Sequence, residues 1–129
     1  MARASDEFLA ELLRIERTLW QNNAHVYRDT YTPDAILIFP VVGRIDRETA
    51  VAAILKENAA GRAWAEVYFD DVVGRWLAKD TAFLISYRAT ARWNDEEVAS
   101  EMLCATLYVR QEEAWRVMFH QQTSNAEPR

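Results

Sequence analysis

The sequence predicts an α+β domain in which three helices from the first half pack on a curved antiparallel sheet supplied mainly by the second. Three observations carry this. Apolar residues recur at helical spacing from Phe8 to Trp20. The second half holds long runs rich in β-branched and aromatic residues, separated by short polar turns. Helices come first and long strands follow, the order of an α+β domain and not of an alternating βαβ fold. The 129 residues fit one domain, 1–129, large enough to bury a core without a metal or disulfide.

The first helix is expected over Asp6–Gln21. Ser5 is a suitable N-cap, and Asp6 and Glu7 sit where the helix dipole favours acids. Phe8, Leu12, Ile15 and Leu19 form its apolar stripe, widened by Leu9, Leu13 and Trp20. Asn22 and Asn23 break this helix and cap a short second one over Ala24–Tyr31, with Val26 and Tyr27 turned inward. Thr32-Pro33-Asp34 ends it, because proline disfavours helix in the residue before it. Ala35–Pro40 reads as a buried strand, and Gly43 permits a reversal into Arg44-Ile45. Asp46 caps a third helix over Arg47–Ala60, burying Val51, Ile54 and Leu55, with Gly61 as its stop.

The strands follow. Ala63–Leu77 is a long one, with a bend or bulge at Asp70-Asp71 or Gly74. Lys79-Asp80 turns the chain into Thr81–Trp93, where Phe83, Ile85, Tyr87, Ala89, Ala91 and Trp93 share one face. Asn94-Asp95-Glu96 turns into Val98–Arg110, and Gln111–Glu113 into Ala114–Thr123. Residues 124–129 form a polar tail. Long bent strands folded over helices leave a concavity, a common place for a ligand.

Composition narrows the partners. The net charge is −5 with no run of Lys and Arg, so nucleic acid is not an expected partner. Cys104 is the one cysteine, which excludes an internal disulfide and fits a reducing compartment. No apolar run has the length of a signal peptide or a membrane helix, so a cytoplasmic chain without a membrane partner is expected. His25 and His120 lie far apart and no ligand-spaced cluster appears, so no metal is expected. The three glycines are isolated and form no phosphate loop, and no cofactor is expected.

Several stretches together resemble a known family. They are Glu16 with Trp20; Tyr27 through Asp34-Ala35 to Phe39-Pro40; Tyr87-Arg88-Ala89-Thr90-Ala91-Arg92; Tyr108-Val109-Arg110; and Trp115-Arg116 leading to Phe119-His120-Gln121-Gln122-Thr123. In this order they resemble the nuclear transport factor 2-like superfamily, and within it a SnoaL-like family of unknown function. The closing Trp-Arg and His-Gln-Gln-Thr run is the most specific. The last turn departs from the pattern, with Ala114 where the family usually has glycine. The resemblance implies a cone-shaped, cystatin-like roll, frequent homodimers and a pocket lined by side chains. It implies no single activity, because the superfamily holds isomerases, dehydratases, cyclases and non-catalytic binders.

His120 is the sharpest candidate for chemistry. In the last strand, alternation would put Arg116, Met118 and Gln122 on its face. It can serve as a general acid or base, or be a histidine held as a structural tie. Arg88 and Arg92 share a face and can clamp an anion, or pair with acids such as Glu66 or Glu101. Asp70 and Glu101 are either desolvated bases or surface ion-pair partners. Trp20, Tyr27, Phe39, Trp64, Tyr68, Tyr87, Tyr108 and Trp115 either line a pocket or are ordinary core. Cys104, among apolar neighbours, reads as inert.

Three functions remain open on this evidence. One is a small-molecule-binding domain with a pocket lined by Trp20, Tyr27, Phe39, Trp64, Tyr68, Tyr87, Arg88, Tyr108, Met118, His120 and Gln122. The second is a cofactor-independent isomerase, dehydratase or cyclase with His120 as its acid or base. The third is a dimerising interaction module whose uncovered sheet face includes Arg75-Trp76 and Trp93.

Overall fold

A computed structural model describes residues 6–125 of the chain. Helix α1 (Asp6–Leu19) forms on the predicted stripe and buries Leu12, Glu16 and Leu19. Ser5, its expected cap, lies outside the described residues. Helix α2 (Ala24–Thr30) starts at Asn23, whose side-chain oxygen accepts from the N–H groups of His25 (3.0 Å) and Val26 (3.2 Å).

The helix ends ahead of Pro33 as expected, but strand β1 (Tyr31–Phe39) begins before the expected Ala35 and runs through Thr32-Pro33-Asp34. Its register jumps between Tyr31 and Ile36, so Pro33 sits in an irregular stretch of the ladder. Strand β2 (Gly43–Ile45) folds back on β1. Helix α3 (Arg47–Ala59) is capped by Asp46, which accepts from the Thr49 N–H at 2.8 Å. Ala50, Val51 and Ile54 are buried, but Leu55 is 56% exposed. It stands about 100° round the helix from Ile54, beyond the covered stripe. Gly61 ends the turn with φ +71°, and the Arg62 N–H reaches the Glu57 carbonyl at 2.9 Å.

Strands β3 (Trp64–Ala78), β4 (Ala82–Trp93), β5 (Ser100–Gln111) and β6 (Ala114–Ser124) form an antiparallel meander. The sheet order is β2-β1-β6-β5-β4-β3. It contains one parallel pair, β1 with β6, and is therefore mixed. Residues 40–113 lie between these two strands, so no tight turn dictates their relative direction.

Two irregularities bend the meander. Pairing of β3 with β4 shifts between Asp70 and Val73, where Asp71 has φ +53°. In β6 the pairing steps from Tyr108↔Val117 to Leu107↔Phe119, so Met118 is the extra residue of a bulge. That bulge reverses the alternation between Val117 and the residues after it.

One face of the sheet carries the core. Phe83, Ile85, Tyr87, Ala89 and Ala91 of β4 and Met102, Cys104, Thr106 and Tyr108 of β5 are all buried there. At one end Phe8 stacks on Trp76 at 5.0 Å and meets Phe83 and Trp115 edge-on. At the other, Trp64 stacks on Trp93 at 3.7 Å, with the Arg62 guanidinium 3.9 Å over the Trp93 ring. Trp76 and Trp93 are thus half-buried and packed against other rings.

Candidate functional site

The site begins with a charge in the core. Glu16 falls on the buried face of α1, one turn after Leu12, and its exposure is 0%. A buried carboxylate needs hydrogen-bond donors. β4 and β5 supply them at positions separated from it by most of the chain. The Tyr87 hydroxyl donates to Glu16 Oε2 in a short hydrogen bond. The Tyr108 hydroxyl donates to Oε1 at 2.7 Å, and the Thr106 hydroxyl to Oε2 at 2.7 Å. The Trp20 indole N–H donates to the Tyr87 oxygen at 3.0 Å.

His120 closes the network from β6. Its Nδ1 lies 2.7 Å from Thr106 Oγ1 and 3.6 Å from Glu16 Oε2, and its Nε2 lies 3.2 Å from Gln122 Oε1. Phe39 covers the ring at 5.8 Å between centroids. Burial lowers the His120 pKa, opposed by the negative charge of Glu16 and the bond to Gln122. Burial, then the field of Glu16, raises the Tyr87 and Tyr108 phenols well above their ordinary value. The same two causes push the Cys104 thiol up to about 12, so it stays protonated and inert.

Beside this network lies a cavity of about 30 Å³, lined by Leu19, Trp20, Asn22, Tyr27, Tyr31, Trp64, His120 and Gln122. It is large enough for one or two waters. Tyr31, at its wall, packs its ring 4.8 Å from that of Tyr27, the two phenols facing each other, and the Thr32 hydroxyl nearby in β1 is buried without a hydrogen-bond partner. Trp20 and Trp64 also form part of the wall of an open groove of about 180 Å³, with Arg17, Gln21, Ala65, Glu66 and Val67. The two indoles therefore separate an outer groove from an inner polar chamber.

The residues expected to share a pocket divide into three groups. Trp20, Tyr27, Trp64, His120 and Gln122 line the inner cavity. Tyr87, Tyr108 and Phe39 stand behind it, against Glu16 or the His120 ring. Tyr68, Arg88 and Met118 are elsewhere. Tyr68 is 63% exposed and Arg88 is its neighbour on the uncovered sheet face, where Arg88 grips Asp70 through two bonds of 2.9 and 2.8 Å. Inward positions of β4 are the odd-numbered ones, so an even-numbered arginine cannot reach the cavity. Met118 leaves the His120 face because of its bulge. Arg116 likewise turns away, donating to the Asp29 carbonyl at 3.0 Å. Glu101 is exposed and accepts from Asn125 at 2.7 Å, and Arg92 approaches Glu66 at 3.7 Å.

Glu16 and Thr106 escaped the sequence reading of chemistry. Each carried a signal: a polar residue in phase with an apolar stripe, Glu16 with Leu12 and Leu19, Thr106 with Met102, Cys104 and Tyr108.

No protein-family model matches the chain, and no curated protein matches it in sequence. Solved structures do match. A nuclear transport factor 2-like protein from Cytophaga hutchinsonii has a TM-score of 0.78 at 14% identity, over 95% of this chain and 99% of that one. A candidate Ca/calmodulin-dependent kinase II association domain from Exiguobacterium sibiricum has a TM-score of 0.75 at 17% identity, over 99% of both chains. A candidate ketosteroid isomerase from Parabacteroides distasonis has a TM-score of 0.70 at 11% identity, over 88% of this chain and 84% of that one. At these identities the likeness is one of fold. It is that of the nuclear transport factor 2-like proteins, an α+β roll of three helices on a six-stranded mixed sheet.

Proposed function

We propose that this chain, which has the nuclear transport factor 2-like fold, is a small-molecule-binding domain whose polar end is the chamber at His120 and Gln122. One observation carries the reading: a polar network in the core, reaching His120 and Gln122, opens onto a chamber that these two residues help to line. A ligand oxygen or a water in the chamber finds hydrogen-bond partners there. The chamber alone is far below the roughly 300 Å³ of an ordinary ligand site. The ligand is therefore small, or its body lies in the outer groove and displaces the Trp20 and Trp64 rings. Those rings suit a flat, apolar body, and Arg17 at the groove supports an anionic substituent.

The catalytic form of this reading makes the chain a cofactor-independent isomerase, dehydratase or cyclase. It is favoured by a neutral imidazole at the chamber wall, whose Nδ1 is held from behind by Thr106. The single cysteine supports a cytoplasmic setting.

A homodimer accompanies either form. Register puts Ile36, Phe119, Leu107 and Leu84 in one row across the uncovered sheet face, with Tyr68, Val73 and Leu103 nearby. Ile36, Tyr68, Val73 and Leu103 are each more than 40% exposed. An apolar sheet face of this extent supports burial against a second copy. Sedimentation at micromolar concentration tests it: a dimer that Leu103→Glu converts to a monomer is expected, and a wild-type monomer contradicts it.

The binding reading is tested by a thermal-shift screen of wild type and His120→Ala against small aromatic and carboxylic acids. A compound that binds the native state raises the melting temperature by mass action. Stabilisation of wild type by one chemical class, lost in the variant, is expected. A screen in which nothing stabilises wild type contradicts the reading.

A further inference from the structure

Counting protons in the network leads further. The Trp20 indole N–H only donates, so the Tyr87 oxygen accepts from it and sends its own proton to Glu16 Oε2. Tyr108 sends its proton to Glu16 Oε1. Thr106 is different. Its Oγ1 lies 2.7 Å from Glu16 Oε2 and 2.7 Å from His120 Nδ1, yet it owns a single proton.

Two proton arrangements satisfy both contacts. In the first, Thr106 donates to the Glu16 carboxylate and His120 Nδ1–H donates to Thr106, so His120 Nε2 carries the lone pair, beside Gln122. In the second, a protonated Glu16 donates to Thr106, Thr106 donates to Nδ1, and His120 carries its proton on Nε2. The Gln122 amide serves both. Its N–H₂ faces Nε2 in the first, and its oxygen, 3.2 Å away, accepts from Nε2–H in the second. The heavy atoms stay in place apart from a half-turn of that amide. The two arrangements differ by one proton, and His120 is neutral in each.

We propose that His120, Thr106 and Glu16 form a proton relay that links the chamber to a carboxylate buried in the core. A proton leaves a molecule in the chamber and binds Nε2, and the Nδ1 proton passes to Thr106 Oγ1. The Thr106 proton passes to Glu16 Oε2. The chamber molecule becomes its conjugate base and Glu16 becomes a carboxylic acid; the reverse sequence returns the proton. The relay lets His120 act as a base without creating an imidazolium in an apolar core, where desolvation penalises the charge. Thr106 and Glu16 are positioning residues in this scheme, since only His120 faces the chamber. The other titratable groups around the ring are Tyr27 from α2, Tyr31 from β1, Tyr87 from β4, and Cys104 and Tyr108 from β5. All are raised by burial and hold their protons throughout.

The relay rests on the reading that His120 works from the chamber, but its test needs no ligand, so an empty ligand screen and a failed relay are separate results. The protein is labelled with ¹⁵N-histidine in a His25→Asn background, which leaves His120 as the one histidine. Ring nitrogen shifts are followed between pH 5 and 9. Expected is a switch from Nδ1–H to Nε2–H on acidification, lost in Glu16→Gln. Thr106→Val abolishes the switch and Thr106→Ser keeps it. The relay is overturned by an imidazolium with both nitrogens protonated, or by a tautomer that does not change. A switch that persists in Thr106→Val overturns it too. If the valine variant does not fold, the wild-type titration and the serine variant decide.

Discussion

The Tyr108 hydroxyl donates to Glu16 Oε1 at 2.7 Å across 92 residues of sequence, tying the middle of the first helix to the third strand of the meander. A carboxylate so placed is a structural tie and a chemical reserve at once. Removing it strands its donors, which sets the first prediction.

Glu16→Leu takes a shared acceptor from three buried hydroxyls: Tyr108 keeps the Leu12 carbonyl at 3.4 Å, Thr106 keeps His120 Nδ1, and Tyr87 keeps the Trp20 N–H. At about 1–3 kcal/mol for each buried hydroxyl left poorly bonded, a loss of roughly 3–5 kcal/mol is expected in urea unfolding. Tyr108→Phe on that background removes one of them, so the double variant is more stable than the sum of the single losses requires. Simple additivity would show that the two side chains are not coupled.

His120 has a lowered pKa in the folded protein, held down first by burial. The unfolded value is about 6.5. Below that pH the unfolded chain binds more protons than the native one. The stabilisation is complete above about pH 6.5 and is lost as pH falls toward the folded value, with a slope of at most about 1.4 kcal/mol per pH unit. Compared in a Glu16→Gln background, where the network cannot take up a proton at Glu16, His120→Gln removes this contribution, so the double variant changes less between pH 7 and 5 than Glu16→Gln alone. Equal slopes in equilibrium unfolding would contradict a neutral, buried imidazole.

Gly74 is expected to resist even alanine. A Cβ there meets Phe83 Cζ at 2.7 Å, Phe83 Cε1 at 2.8 Å and Leu9 Cδ1 at 3.2 Å. Phe83 is fully buried and is wedged edge-on by Phe8 and Trp76, so it has nowhere to go. Gly74→Ala costs about 1–3 kcal/mol by overpacking, measured by chemical denaturation.

The last hairpin works the other way. Glu112 and Glu113 both hold positive φ, +52° and +67°, in a two-residue turn that asparagine and glycine fill best. Replacing the pair by Asn-Gly relieves this strain. It is expected to raise unfolding stability by about 1 kcal/mol.

Much of the fold was legible because each strand announced its inward face. Phe83, Ile85, Tyr87, Ala89 and Ala91 alternate without a break, and all five are buried. Legibility failed where the ladder loses its period. The bulge at Met118 and the irregular stretch around Pro33 depend on pairing partners that no local pattern reveals. The site was harder still. His120 and Gln122 were accessible from the sequence as polar residues on one face of the last strand, but not the direction in which that face turns. Their link to Glu16 through Thr106 was not, because a glutamate on a helix is ordinarily a surface residue. Its phase with Leu12 and Leu19 was the available sign.

The most direct test of the account is where a bound molecule leaves its mark. With the compound that most stabilises the protein, ligand-induced shifts are recorded for the His120 ring, the Trp20 and Trp64 indoles, and Tyr68 and Leu103 on the outer face. The account predicts large shifts at His120 and both indoles, as the wall between groove and chamber opens, with little change at Tyr68 and Leu103. Shifts confined to the outer sheet face, with His120 unmoved, would contradict it.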